Sequence, residues 1–190
     1  MGFRGSLPKF MPDSPWRRFA SRLSVETMEL GFANVKSWEW RSFAADPFFR
    51  VYYVARGSTK LLFADRSFDL KGGGLYLLPA NVPFRYVPDK YLTHYWLHFL
   101  SPSLEGLPYF QQPLGVSAKQ IPGLAALMES TLKLAELPST MDSIVRINIS
   151  TLQLLTPFLK GMPQHLAQTL DKINGFSQVV AFVERNIEKD

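Results

Sequence analysis

The chain has 190 residues, 46% of them apolar and 14% aromatic, enough for one domain that buries a core unaided, or one domain plus a fragment. It has no cysteine, which excludes disulfides, thiol catalysis and cysteine-ligated zinc, and no apolar run near the ~20 residues of a membrane span. The net charge of +5 is uneven: residues 1–90 carry 14 Lys+Arg against 8 Asp+Glu and residues 91–190 carry 7 against 8, which reads as solvated surface plus one or two pocket arginines rather than a DNA-binding face.

Residues 1–13 read as a loose arm, with Arg and Pro throughout and no apolar stretch of the kind a secretory signal needs. Ser14-Pro15-Trp16 has the form of a helix start, Ser as cap and Pro in the first turn, and residues 17–23 follow as a short helix. Residues 28–32 and 35–43 read as strands. Within the latter, Trp38 and Trp40 share one face, Glu39 and Arg41 the other.

From Phe48 to Phe99 strands follow back to back: FFRVYYVARG, TKLLFADRSFDL, KGGGLYLLPANVPFRYVP and LTHYWLHF. Each is rich in β-branched and aromatic residues and ends at Gly, Pro or Asp. Arg56-Gly57 is expected to close one strand and Asp65-Arg66 to mark a hairpin. Gly72-Gly73-Gly74 is followed by a strand and Pro79 rather than a helix, so it reads as a barrel corner, not a phosphate cradle. Strands this closely spaced predict a small antiparallel barrel or jelly roll.

After Phe99 the pattern changes. Residues 101–120 read as loop, 121–137 as a helix, and Pro138-Ser139-Thr140 as its end, with Ser139 or Thr140 capping a second helix over 141–160. The second helix carries two apolar stripes. One is Ile144, Ile147, Leu154 and Phe158, broken by Thr151; the other is Val145, Ile149, Leu152, Leu155 and Leu159. One stripe suffices to dock a helix on a core, so two mean burial on two sides, either deep in one subunit or with the second stripe against another copy. Residues 164–174 read as a polar short helix or linker, and 176–189 as an apolar-striped helix with nothing to pack against. The chain is therefore expected to stop inside a further domain.

The ordered set of these segments resembles the AraC-type family of transcription regulators. VYYVARG is similar to the family's strand ending in Arg-Gly, LKGGGLYLLPANVPFRY to its Gly-Asp, apolar and Pro stretch, and THYWLHF to its Trp-containing strand. MDSIVRINISTLQLLTPFL resembles the second dimerisation helix, and FSQVVAFVERNIEKD the helix that opens the DNA-binding domain. The resemblance implies a fold that is mainly β with α: a cupin-like (jelly-roll) antiparallel barrel followed by two antiparallel dimerisation helices. It implies an arm over 1–23, a ligand-binding barrel over 24–100, dimerisation helices over 101–163, and, over 164–190, a linker and the first helix of a truncated helix-turn-helix domain. Gly74, Ala80-Asn81 and Phe84 depart from the family, which often has Asp, Pro-Gly and His there.

The chemistry points to binding. His94 and His98 share a strand face but lie ~13 Å apart by strand rise, and no His-x-His occurs, so no metal is expected. There is no Gly-x-Ser-x-Gly elbow, and Glu39 and Asp69 lie in exposed-looking alternation. Sugars are held by an aromatic platform with polar groups around it, and His94 and Trp96 share a face. Sugar-responsive members of the family line their pocket with an Arg, a Tyr, a His and a Trp; by resemblance these are Arg41, Tyr86, His94 and Trp96, with Arg41 reached by a one-residue shift. His98 points the same way; Trp38, Trp40 and Arg50 carry less weight. The opposing reading of each is barrel core.

The sequence thus predicts a cytoplasmic, non-enzymatic sensing and dimerisation region without cofactor. Its partners are a small metabolite such as a sugar, a second copy through Val145, Ile149, Leu152, Leu155 and Leu159, and DNA through a C-terminal domain. Ligand binding would shift the population between two arrangements of the arm or linker, with residues 1–23 as lid. The alternatives are a stand-alone cupin isomerase or epimerase, or a sugar-binding module with no DNA partner.

Overall fold

A computed structural model describes residues 14–35, 45–87, 91–163 and 165–166. The chain divides into two units, residues 24–162 and residues 1–23 with 163–190. In the second of these, helix α1 (Pro15–Ala20) starts where the sequence places it: the Ser14 hydroxyl accepts a hydrogen bond from the Arg17 N–H at 3.1 Å, and Pro15 occupies the first turn. Of the linker and helix expected over 164–190 all but residues 165–166 lie outside the described residues, and so does the strand expected over 35–43 beyond Val35, which ends the first strand.

Among the described residues the first unit has seven antiparallel strands: β1 (Glu26–Val35), β2 (Phe49–Leu62), β3 (Ser67–Lys71), β4 (Gly74–Leu78), β5 (Arg85–Val87), β6 (Leu92–Leu100) and β7 (Leu114–Ser117). The main sheet runs β1-β6-β2-β4-β7, and β3 and β5 flank the far half of β2. Strand β2 therefore serves two walls. Its first half pairs with β6 and β4, from Phe49↔Phe99 and Arg50↔Leu78, and its second half with β3 and β5, through Ser58↔Lys71 and Lys60↔Val87. Arg56-Gly57 does not close a strand, as the sequence suggested. The register shift between Val54 and Arg56 is a bulge, and bulges bend a strand rather than end it.

The glycine triplet sits at the matching corner on the neighbouring chain segment. Gly73 has φ +80, a conformation that L side chains avoid, and its N–H donates to the Val54 carbonyl beside the bulge. The Asp65-Arg66 hairpin is present, closed by the Phe63 N–H on the Arg66 carbonyl at 2.8 Å.

Strand alternation gives the sheet two buried faces. Val54, Leu61, Leu70, Leu78, Phe84 and Leu92 fill the barrel interior. The opposite face buries Phe49, Val51, Leu75, Leu77, Leu97 and Phe99. Helices α2 (Leu124–Ala135) and α3 (Met141–Lys160) pack on each other and on β1, and α3 also on β7. The segment 101–120 is not wholly loop: β7 lengthens the sheet at the edge of β4, an element too short to announce itself by periodicity. Helix α2 begins three residues later than expected, because Gly123 before it is left-handed at φ +76. Helix α3 has the expected bounds, fixed by a capping box between Thr140 and Ser143.

The two stripes of α3 separate with two departures, Ile144 of the first stripe being exposed and Leu155 of the second buried. Thr151, Leu154 and Phe158 are buried against the unit's own core, and Thr151 shares a 2.7 Å hydrogen bond with Thr27 of β1. Met141, Ile144, Val145 and Ile149 are exposed, while Leu152 and Leu159 are half-buried. Leu155, expected at an interface between copies, is fully buried within its own subunit and unavailable to a second one. Its place on the helix falls between the stripes, and the packing of α3 rolls it inward.

Candidate functional site

The polar residues of the barrel lie on one face of three adjacent strands. Cross-strand partners point the same way, so the register fixes the assembly. Arg50 and Tyr52 of β2 stand opposite His98 and Trp96 of β6, and Val54 opposite His94. On the other side of β6, His98, Trp96 and His94 pair with Glu29, Gly31 and Ala33 of β1. Strand β5 brings Tyr86, and Phe84 just before it, into the same interior from the far half of β2.

The rings form a continuous aromatic lining. His98 meets Trp96 at 4.8 Å between centroids and stacks on Phe48 at 4.7 Å, and His94 meets Tyr52 at 5.2 Å. Gly31 makes room for the indole, since a Cβ there would stand 2.6 Å from Trp96 Cζ2. The Arg50 guanidinium lies 4.7 Å from the Phe48 ring and 5.0 Å from the Phe84 ring, within cation–π range of both.

Three polar pairs span this lining. Tyr52 and Tyr86 share a hydroxyl hydrogen bond of 2.6 Å. His98 Nδ1 lies 2.7 Å from Glu29 Oε1, and Arg50 forms an ion pair with Asp46. Burial is the first cause of every shift here. It raises the Tyr52 pKa, raises that of Tyr86 well above the usual value, and lowers His94 to about 4. It also lowers His98, with the Glu29 hydrogen bond pulling the other way.

Four of the five sequence-predicted ligand residues, Tyr86, His94, Trp96 and His98, thus share one lining; Arg41 lies outside the described residues. Arg50, given little weight from sequence, is 6% exposed and stands in the middle of the cluster. Its signal was present as a lone cation in the apolar run FFRVYYV, on the strand face of Tyr52. Phe84, standing where a His is common, gives the guanidinium an aromatic face instead of a competing donor. Asp69 is exposed and reaches Lys60 and Lys71, as its alternation suggested. Among the described residues no three His, Cys, Asp or Glu converge as a metal site.

The sequence matches the family model for the AraC-like ligand binding domain over residues 29–145, which takes in most of β1, β2 to β7, α2 and the start of α3. No curated protein matches it in sequence. Among solved structures, the AraC-like transcriptional activator CuxR superposes with a TM-score of 0.51 at 12% identity, over 76% of this chain and 65% of CuxR. ToxT from Vibrio cholerae gives 0.40 at 11% identity, over 71% of this chain and 57% of ToxT. The protein YhaK from Escherichia coli gives 0.41 at 12% identity, over 50% and 43%. The chain spans less than two thirds of the length of each of these three proteins. With a cupin-like barrel, two following helices and a family match over more than half its length, this chain belongs to the AraC-like ligand-binding domain family.

Proposed function

We propose that this chain is the ligand-sensing and dimerising part of an AraC-type transcription regulator, non-enzymatic and cytoplasmic, with a sugar as effector. The observation that carries the reading is the barrel lining, where the Trp96 ring lies with His94, His98, Arg50 and the Tyr52–Tyr86 pair, and Phe48 backs the imidazole and the guanidinium. A sugar presents C–H faces to such rings and hydroxyls to such polar groups. DNA binding would come from a further C-terminal domain, as CuxR is an AraC-like transcriptional activator and this chain spans 65% of it.

The dimer would form through α3. Met141, Val145 and Ile149 recur at helical spacing and are exposed, Met141 at 77%, with Leu152 and Leu159 continuing the row. A second copy of α3 covers such a face by symmetry. Ligand in the barrel would act by making different contacts in two arrangements of residues 1–23 or of the linker.

Calorimetric titration with a panel of aldoses tests the sensing reading: one of them should bind and raise the melting temperature, and no binding across the panel removes it. Light scattering tests the dimer, which a monomer at high protein concentration would refute. One contact favours the isomerase alternative, the Glu29–His98 pair, which has the form of an acid–base dyad. A bound sugar recovered unchanged after long incubation excludes it.

A further inference from the structure

Two buried polar atoms of the lining have no hydrogen-bond partner among the described residues: Arg50 Nη1 and His98 Nε2. Buried polar groups are nearly always paired, so each orphan asks for an occupant. The two belong to directly opposed residues of β2 and β6, whose Cβ atoms stand roughly 5 Å apart in any antiparallel pair. Phe48 carries both, stacked on the imidazole and under the guanidinium.

Their hydrogen-bonding characters differ, and the second partner of each fixes which is which. Arg50 can only donate. The Glu29 carboxylate only accepts, so His98 Nδ1 carries the proton toward it, and Nε2 of the neutral ring is an acceptor. Burial lowers the pKa of that ring and so favours its neutral form, with the Glu29 hydrogen bond pulling the other way. One donor and one acceptor side by side match a hydroxyl, which accepts from one and donates to the other. A carboxylate satisfies Arg50 but sets its lone pairs against Nε2. Charge argues the same way, since Asp46 already neutralises Arg50 and Glu29 adds a negative charge beside His98.

We propose that Arg50 Nη1 and His98 Nε2 together hold one neutral hydroxyl of the ligand, so that the barrel takes uncharged polyhydroxylated molecules and rejects their carboxylate analogues. This rests on the ligand-sensing reading above and narrows it to one ligand class and one anchor.

The test is calorimetry on the full chain at pH 7.5 with matched pairs: D-galactose and D-galacturonate, D-glucose and D-glucuronate, L-arabinose and L-arabinonate, D-xylose and D-xylonate. The expected result is that a neutral member binds and its acid binds at least about 10-fold more weakly, the scale of one lost or opposed buried hydrogen bond. His98→Phe should weaken the neutral member by about 10-fold, and His98→Gln, which keeps an acceptor, by less than about 3-fold. An acid that binds as tightly as its sugar overturns the anchor, and so does unchanged affinity in both His98→Phe and Arg50→Met. Either result leaves the sensing reading standing, because a sugar or sugar acid has bound. Binding by no member of any pair removes both. Should His98→Phe not melt cooperatively, the comparison of acid with sugar on the unaltered protein decides alone.

Discussion

His94 makes the unit acid-sensitive by an amount that can be worked out. Its side chain is fully buried, and burial lowers its pKa from 6.5 to about 4. The folded state therefore holds the ring neutral while the unfolded chain takes up a proton first as pH falls. Stability from this group is complete above pH 6.5 and is lost as pH drops from 6.5 toward 4. The gap, at ~1.4 kcal/mol per pH unit, is worth about 3 kcal/mol in full, of which roughly 2 kcal/mol is lost between pH 7 and pH 4.5. His94→Phe keeps a ring of similar size beside Tyr52 and cannot titrate. Urea unfolding of both proteins at half-unit steps over that range isolates the group, because His98 and all carboxylates are common to both. The variant should gain on the unaltered protein by roughly 2 kcal/mol as pH falls to 4.5. Two parallel stability profiles would refute the reasoning, since they would mean that His94 is protonated as readily folded as unfolded.

The remaining predictions separate core from surface. Leu155→Ala should cost roughly 2–5 kcal/mol in urea unfolding, as for any fully buried leucine, whereas Ile149→Glu should leave the melting temperature within a few degrees and shift light scattering to the monomer. Tyr86→Phe should cost about 1–3 kcal/mol by stranding the Tyr52 hydroxyl in the barrel, and the double variant with Tyr52→Phe should cost less than the sum of the two single changes. Gly31→Ala should drive the Trp96 indole from β1, visible as a shift in tryptophan emission and a loss of about 1–3 kcal/mol. An unchanged spectrum would mean that Trp96 does not lie against β1.

Particular residues show what was legible in the chain. Residues 141–160 form a helix with Thr140 as cap because apolar spacing and capping chemistry are local, and the two agree there. The even spacing of His94, Trp96 and His98 put them on one face for the same reason, since strand alternation needs no knowledge of the fold. The glycine triplet announced a corner because a strand, not a helix, follows it. Strand β7, by contrast, has only four residues, and its pairing with β4 is a contact between distant segments that no periodicity records.

The sequence by itself determined the strand-rich barrel, the two helices behind it and the direction in which the β6 side chains point, all of which follow from short-range pattern. Only the tertiary structure decided partners. It set Arg50 opposite His98, turned Glu29 of β1 onto the imidazole, and closed Tyr86 onto Tyr52 across the barrel. It also rolled Leu155 inward while leaving Ile149 exposed. Register and helix rotation arise from packing among segments far apart in the chain, and a local pattern carries information about faces but none about which face meets which.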